Sequence, residues 1–282
     1  MLLKRKTSAE TLKLQEKYGV PYLVFPSLEN TGLVRHAFST RLGGCSTGDL
    51  ATMNLSTTRG DDPENVKENF QRFGAAVGFD PKDLVLSLQT HTTNVRLVTE
   101  EDRGKGFTRP RDYKDVDGLI TNVPGLVLAT FYADCVPLYF VDPVHRAIGL
   151  SHSGWRGTVN RMGEVTLQRM KEAFGTRPSD VWTAIGPSIC QDCYEVSEDV
   201  AQEFISAFEG RADNMLLYRK ENGKYQLNLW RANELVLLES GVPKDRIAVT
   251  DICTCCNPQV LFSHRASKGK RGNLGAFLQL LS

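Results

Sequence analysis

Gly125-Leu126-Val127-Leu128-Ala129-Thr130-Phe131-Tyr132-Ala133-Asp134-Cys135-Val136-Pro137-Leu138-Tyr139-Phe140-Val141 is the longest apolar stretch of the chain. A membrane span needs ~20 apolar residues, and Asp134 and Pro137 interrupt this one, so it reads as buried strands instead. Two are expected, over 126–132 and 138–141, with Asp134 and Cys135 in the connection between them. Working outward, short β-rich runs predict further strands over 84–88, 95–98, 118–121, 147–151, 181–185 and 247–250.

Helical spacing appears between these groups. Asp62-Pro63 opens one helix, with Val66, Phe70, Phe73 and Val77 on one apolar face. A second is expected over 158–174, with Val159, Met162, Thr166 and Met170 on one side. A third starts at a Ser197 cap and buries Val200, Phe204 and Phe208. A fourth covers 229–239 and stops before Gly241. The tail residues Leu274, Phe277, Leu278 and Leu281 also have helical spacing. The stretch 100–114, with Gly104, Gly106 and Pro110 among many charges, reads as a loop inserted within one domain. Strands come in neighbouring groups with helices between the groups. That order favours an α+β fold over a doubly wound parallel sheet.

The chain has 282 residues, 34 Lys plus Arg against 33 Asp plus Glu, and a net charge of +1. Such a balance gives no reason to expect a nucleic-acid duplex or an anionic membrane as partner, though a local patch can still hold one small anion. The basic start Met1-Leu2-Leu3-Lys4-Arg5-Lys6 is followed by polar residues where a signal peptide would be apolar. A cytoplasmic protein is therefore expected. There the seven cysteines stay reduced, and serve metals or catalysis more often than disulfides.

Among only five histidines, His91 and His152 each follow a predicted strand, and Cys135 lies between two. Two imidazoles and a thiolate suit Zn²⁺, with a fourth position open, and zinc lowers the pKa of water to ≈ 7. The separations match no local metal motif, so a packed cysteine and two hydrogen-bonded histidines fit the spacing as well. Cys135 and His152 also offer a thiolate nucleophile with its imidazole base. Ser153-Gly154-Trp155-Arg156-Gly157-Thr158 resembles a strand, glycine turn and helix start, where backbone N–H groups and Arg156 can meet a phosphate. A tight turn with Trp155 as core filler fits equally. Thr40-Arg41-Leu42-Gly43-Gly44 has similar potential. Cys190-Gln191-Asp192-Cys193 and Cys253-Thr254-Cys255-Cys256 together offer a structural zinc site or, more simply, buried thiols. Asp117, Asp134 and Glu195 are candidate proton carriers or supports for a ligand.

Taken in order, the motifs form a set. They are Ser39-Thr40-Arg41-Leu42-Gly43-Gly44, Met53-Asn54-Leu55, Asp61-Asp62-Pro63, Gln89-Thr90-His91, Asp117-Gly118-Leu119-Ile120-Thr121 and Ala133-Asp134-Cys135-Val136-Pro137. His152-Ser153-Gly154-Trp155-Arg156-Gly157 comes next, then Gly186-Pro187-Ser188-Ile189 with Tyr194-Glu195-Val196, Asp251-Ile252-Cys253-Thr254 and Phe262-Ser263-His264-Arg265. The set resembles the YfiH-like family, also called the laccase-domain or multicopper polyphenol oxidoreductase family and described as a group of purine nucleoside phosphorylases. The resemblance runs from about Arg35 to the C-terminus. Thr92 stands where Gly or Ser is common, and Ser153 where Ala is usual.

The resemblance implies layered mixed β-sheets flanked by helices in a single domain, 1–282, with residues 1–34 as an N-terminal extension. It also implies that His91, Cys135 and His152 bind Zn²⁺, with copper an alternative occupant. The activities implied are phosphorolysis of adenosine, inosine and S-methyl-5′-thioadenosine, and deamination of adenosine. Arg41, Gln89, Gly154, Arg156 and Gly157 are then expected to hold substrate or phosphate, with Asp134 and Arg156 catalytic. Rival readings are a cysteine hydrolase (a peptidoglycan-editing amidase) using Cys135 and His152, a copper polyphenol oxidase, and a non-enzymatic zinc-binding module. Five histidines are too few for a multinuclear copper cluster.

Overall fold

The computed structural model describes residues 3–211 and 214–282, so Met1, Leu2 and residues 212–213 lie outside the described residues. In chain order the strands are β1 (Lys13–Lys17), β2 (Val20–Val24), β3 (Val34–Ser39), β4 (Leu84–Leu86), β5 (Val95–Leu97), β6 (Gly118–Thr121), β7 (Val127–Tyr132) and β8 (Val136–Asp142). They continue with β9 (Ala147–Ser153), β10 (Trp182–Ile185), β11 (Glu195–Val196), β12 (Leu217–Arg219), β13 (Tyr225–Leu227), β14 (Ile247–Val249) and β15 (Leu274–Leu280). One six-stranded sheet has the order β1-β2-β3-β15-β7-β4, a second β14-β10-β8-β9-β6-β5, and β11-β13-β12 form a small third. Both large sheets are mixed: β4 runs parallel to β7, β5 to β6 and β10 to β14, and the other pairs are antiparallel.

Alternation along the strands stacks these elements. Leu128 of β7, Ala276 and Leu278 of β15, Tyr139 and Val141 of β8, and Ile148 and Leu150 of β9 share one core between the two large sheets. The opposite faces look outward. Val127, Ala129 and Phe277 pack under the Pro63–Val77 helix with its Val66, Phe70 and Phe73. Leu138 and Phe140 pack under the helices Met162–Phe174, Glu198–Ala207 and Leu229–Glu239. The result is helix, sheet, sheet, helices: an α+β fold of layered mixed sheets, as expected. Strands buried on both faces read as continuous apolar runs, which explains the opening stretch.

The Pro63–Val77 helix is capped as its sequence predicts: the Asp62 side chain accepts from Glu64 N at 2.9 Å. Two expectations change. The tail is not a helix but strand β15, paired between β3 and β7 in the centre of its sheet. Its apolar spacing misled because both of its faces are buried, so no period stands out. The helix expected over 158–174 is two, Trp155–Val159 and Met162–Phe174, separated where Arg161 takes the left-handed conformation at φ 58°. Within the N-terminal segment, Lys13–Lys17 and Val20–Val24 supply β1 and β2 to the first sheet. No helix among the described residues is long and apolar enough to cross a membrane.

Candidate active site

Three strand ends build the site. Asp134, at φ 87°, turns the chain between β7 and β8 and leaves Cys135 at the start of β8. The register of β8 with β9 pairs Pro137 with His152 and Val136 with Ser153, which brings Cys135 beside His152 and Gly154. The β6–β9 ladder pairs Gly118 with Ser151, and His152 N donates to Asp117 O at 2.7 Å, so Asp117 reaches the same corner. His91 comes from the turn after β4. There Gln89 replaces a ladder rung: its Nε2 donates to Phe131 O at 2.8 Å and its Oε1 accepts from Phe131 N at 2.7 Å.

Asp117 organises the corner. Its carboxylate, 0% exposed, accepts from the backbone N–H of Thr90 (3.0 Å), His91 (3.0 Å) and Thr92 (3.1 Å), from the Thr92 hydroxyl (3.1 Å), and from His152 Nδ1 (2.8 Å). Burial alone would push Asp117 up, but these donors hold it below its ordinary value. It is therefore a carboxylate at neutral pH, His152 Nδ1 carries the proton, and His152 Nε2 is left for the site. The amide donors also hold His91 at φ 66°, in the left-handed region.

The donor atoms of His91, Cys135 and His152 lie within 4.8 Å of one another. Cys135 Sγ is 3.9 Å from His91 Nε2, and the two imidazole rings meet edge to face at 4.9 Å. Burial would raise the Cys135 thiol, but His152 and His91 bring it down to about 6. Burial would lower His152, but the Cys135 thiolate and Asp117 lift it to about 9. A thiolate beside an imidazolium results. Two imidazoles, one anchored through its far nitrogen, and one thiolate fit a borderline-soft divalent cation with a position to spare. Gly154 is required by this crowding: a Cβ there would lie 2.9 Å from His91 Cδ2 and 3.3 Å from Cys135 Sγ.

Two cavities meet at the cluster, and His91 and Cys135 line both. The first, about 230 Å³, is walled by Arg59, Arg111 and Arg271, with Ser56, Ser87 and Gln89. None of the three arginines has a carboxylate partner among the described residues, and Arg111 Nε and Arg271 Nε are buried without a hydrogen bond. Burial and the neighbouring Arg59 bring Arg271 down to about 10. The second, about 270 Å³, is bounded by Trp155, Tyr194, Ile189 and Leu229, with Arg156 and Asp134. Arg156 lies over the Trp155 ring at 4.2 Å.

Other expected site residues are engaged elsewhere. Arg41 donates to Ala51 O from Nε (2.9 Å) and Nη2 (2.7 Å) and to Pro258 O from Nη1 (3.0 Å), and it lies over Phe262, away from both cavities. Asp134 accepts the Thr254 hydroxyl on Oδ1 at 2.6 Å and Arg265 N on Oδ2 at 2.7 Å. Gly157 lies inside the short Trp155–Val159 helix, where a Cβ would meet only ordinary contacts. Ser153 is buried and turned from the site, donating to Asn233 Oδ1 at 2.9 Å. Glu195 pairs at the surface with Lys220 and Lys224. The three cavity arginines were not anticipated; they come from three distant loops, and no local pattern marks them.

A family model described as multi-copper polyphenol oxidoreductase laccase matches residues 35–281. The purine nucleoside phosphorylase YlmD of Bacillus subtilis (strain 168) is 35% identical over 254 residues, 89% of this chain and 90% of that protein. Adenosine deaminase RL5, from an unknown prokaryotic organism, is 33% identical over 231 residues, 81% of this chain and 87% of that one. The crystal structure of the Bacillus licheniformis hypothetical protein YfiH superposes with a TM-score of 0.88 at 30% identity, over 95% of this chain and 99% of that one.

Proposed function

The chain belongs to the multi-copper polyphenol oxidoreductase laccase family, and from that premise we propose that it is a zinc-dependent purine nucleoside enzyme of the cytoplasm. Its reactions are phosphorolysis of adenosine, inosine or S-methyl-5′-thioadenosine, and deamination of adenosine. The observation that carries the reading is the His91, Cys135 and His152 cluster at the meeting point of a cationic and an aromatic cavity. The relatives named for phosphorolysis and deamination support it. The family's description speaks of several coppers. The other three histidines, His36, His145 and His264, join no metal-binding group among the described residues, so the donor set offers one His₂Cys site and not a multinuclear one.

The residues divide the work. His91, Cys135 and His152 hold the cation, which when bound supplies Lewis acidity and lowers the pKa of water. Arg59, Arg111 and Arg271 take up phosphate, whose charge offsets three guanidinium groups that have no carboxylate partner among the described residues. Trp155 and Tyr194 line the cavity that takes the purine, with Arg156 in the same wall. In phosphorolysis a phosphate oxygen bonds to C1′ of the ribose as the N9–C1′ bond breaks, and the purine leaves with the electron pair. In deamination water adds at C6 and ammonia departs. Asp117 positions His152. Gln89, Arg41 and Asp134 have their polar groups committed to the backbone or to Thr254, so each is given a positioning role.

The thiolate–imidazolium pair favours one second reading, a metal-independent cysteine hydrolase. Treatment with a strong chelator, followed by assay with adenosine and phosphate and, in parallel, with a peptidoglycan amide substrate, separates the two. The zinc enzyme loses turnover and regains it with Zn²⁺. The hydrolase keeps its activity in chelator and loses it on thiol alkylation.

A further inference from the structure

A second group of metal-ligating side chains lies outside the site just described. Strands β10 and β14 run parallel, with Ile185 beside Val249, and the chains leaving them stay paired. Thr250 N donates to Ile185 O at 2.9 Å, Thr254 N donates to Ser188 O at 3.1 Å, and Ser188 and Cys253 form a parallel bridge. Two Cys-x-x-Cys turns, Cys190 to Cys193 and Cys253 to Cys256, are thereby delivered side by side to one end of the sheet. The four Sγ atoms lie within 4.8 Å of one another.

The sulfur geometry is informative. Cys193 and Cys256 Sγ are 3.5 Å apart, and Cys190 and Cys256 Sγ 4.0 Å. A tetrahedral cation with metal–sulfur bonds of ~2.3 Å sets sulfurs roughly 3.8 Å from each other. Cys253, fully buried, also accepts two backbone N–H groups on Sγ: Cys190 N at 3.2 Å and Cys256 N at 3.4 Å. A neutral thiol is a weak acceptor, whereas a ligating thiolate carries the charge that two amides stabilise. All four are free thiols, and four reduced thiols in apolar packing have no need of this convergence.

We propose that Cys190, Cys193, Cys253 and Cys256 form a closed, structural Zn²⁺ site, separate from the His91, Cys135 and His152 cluster. Four thiols give up their protons to solvent on binding, and four protein ligands leave no open position, so this centre performs no reaction. It braces the active site. Ile189 and Tyr194, which line the aromatic cavity, adjoin Cys190 and Cys193. Thr254, between the two other ligands, holds Asp134 next to Cys135. The cation thus locks the wall of the aromatic cavity to the turn that carries Cys135.

The test uses the full chain carrying Cys135→Ala, which removes the thiolate of the first site and leaves six cysteines. Purified under reducing conditions, it is expected to retain one zinc per chain. Only two thiols, Cys45 and Cys255, should then react with a thiol reagent, and all six after denaturation in chelator. Cobalt substituted for the zinc should show the strong visible absorption of a tetrahedral four-thiolate centre. Chelator should lower Tm, and Zn²⁺ should restore it. Adding Cys193→Ser should abolish the zinc. A Cys135→Ala protein that folds without zinc, that binds zinc with all six thiols reactive, or that shows disulfides among these four cysteines by mass spectrometry overturns the proposal. A wild-type chain holding one zinc, with one also in Cys135→Ala, would sustain this site and count against zinc at the other.

Discussion

Replacing Asp117 with Asn keeps the side chain's shape but removes the charge on which three backbone N–H groups and His152 Nδ1 converge. Supports of this kind typically govern 10–100-fold in metal affinity. We expect Asp117→Asn to weaken zinc binding at the His91, Cys135 and His152 cluster by about that factor, read by competition with a chelating dye. The charge state of the cluster adds a pH prediction. Between about 6 and about 9 Cys135 is already a thiolate while His152 is still protonated. A metal needs His152 neutral, so binding in this window displaces one proton from His152. Apparent affinity should rise with pH through this window as His152 gives up its proton, and fall more steeply below it, where Cys135 also holds one. Calorimetry in buffers of different ionisation heat reads the proton count; no buffer dependence at pH 7.5 would contradict the ion pair. Histidine rarity and strand ends picked out His91, Cys135 and His152 in the sequence, but left packed side chains an equal reading; the resemblance made them a ligand set. Arg59, Arg111 and Arg271 were not legible there, because arginine is common and only the folded chain gathers them.

Strand β15 shows the same limit for an element. Its outer face carries Phe277, which stacks on Phe79 at 5.4 Å and lies 4.8 Å from Phe73, and its inner face carries Leu274, Ala276, Leu278 and Leu280. The sequence places apolar residues there but cannot say whether their neighbours come from a helix or from both sides of a sheet, since β3 and β7 are distant in the chain. The strands from 118 to 153 were legible because short turns separate them and β-branched residues run through them. Phe277→Ala leaves a cavity between the Pro63–Val77 helix and its sheet. It should cost about 3–5 kcal/mol, seen as a lower midpoint in denaturant with an unchanged slope. A change within 0.5 kcal/mol would contradict the central placement of β15.

For the molecule as a whole, the two large sheets share one core, and the His91, Cys135 and His152 corner lies where β7 and β9 end and β8 begins. Cluster, cationic cavity and aromatic cavity are thus set by the same framework. Near-neutral net charge fits a small anion held locally. Arg271→Ala should raise the KM for phosphate at least tenfold while leaving zinc content unchanged, checked by varying phosphate at fixed adenosine. Deamination, which uses no phosphate, should be less affected. The most direct measurement follows adenosine, with phosphate present, by chromatography in wild type and in Cys135→Ala. The wild type should form adenine with ribose 1-phosphate, together with inosine, and the variant should form none of them at a measurable rate. Full activity in Cys135→Ala would contradict the assignment of chemistry to this cluster.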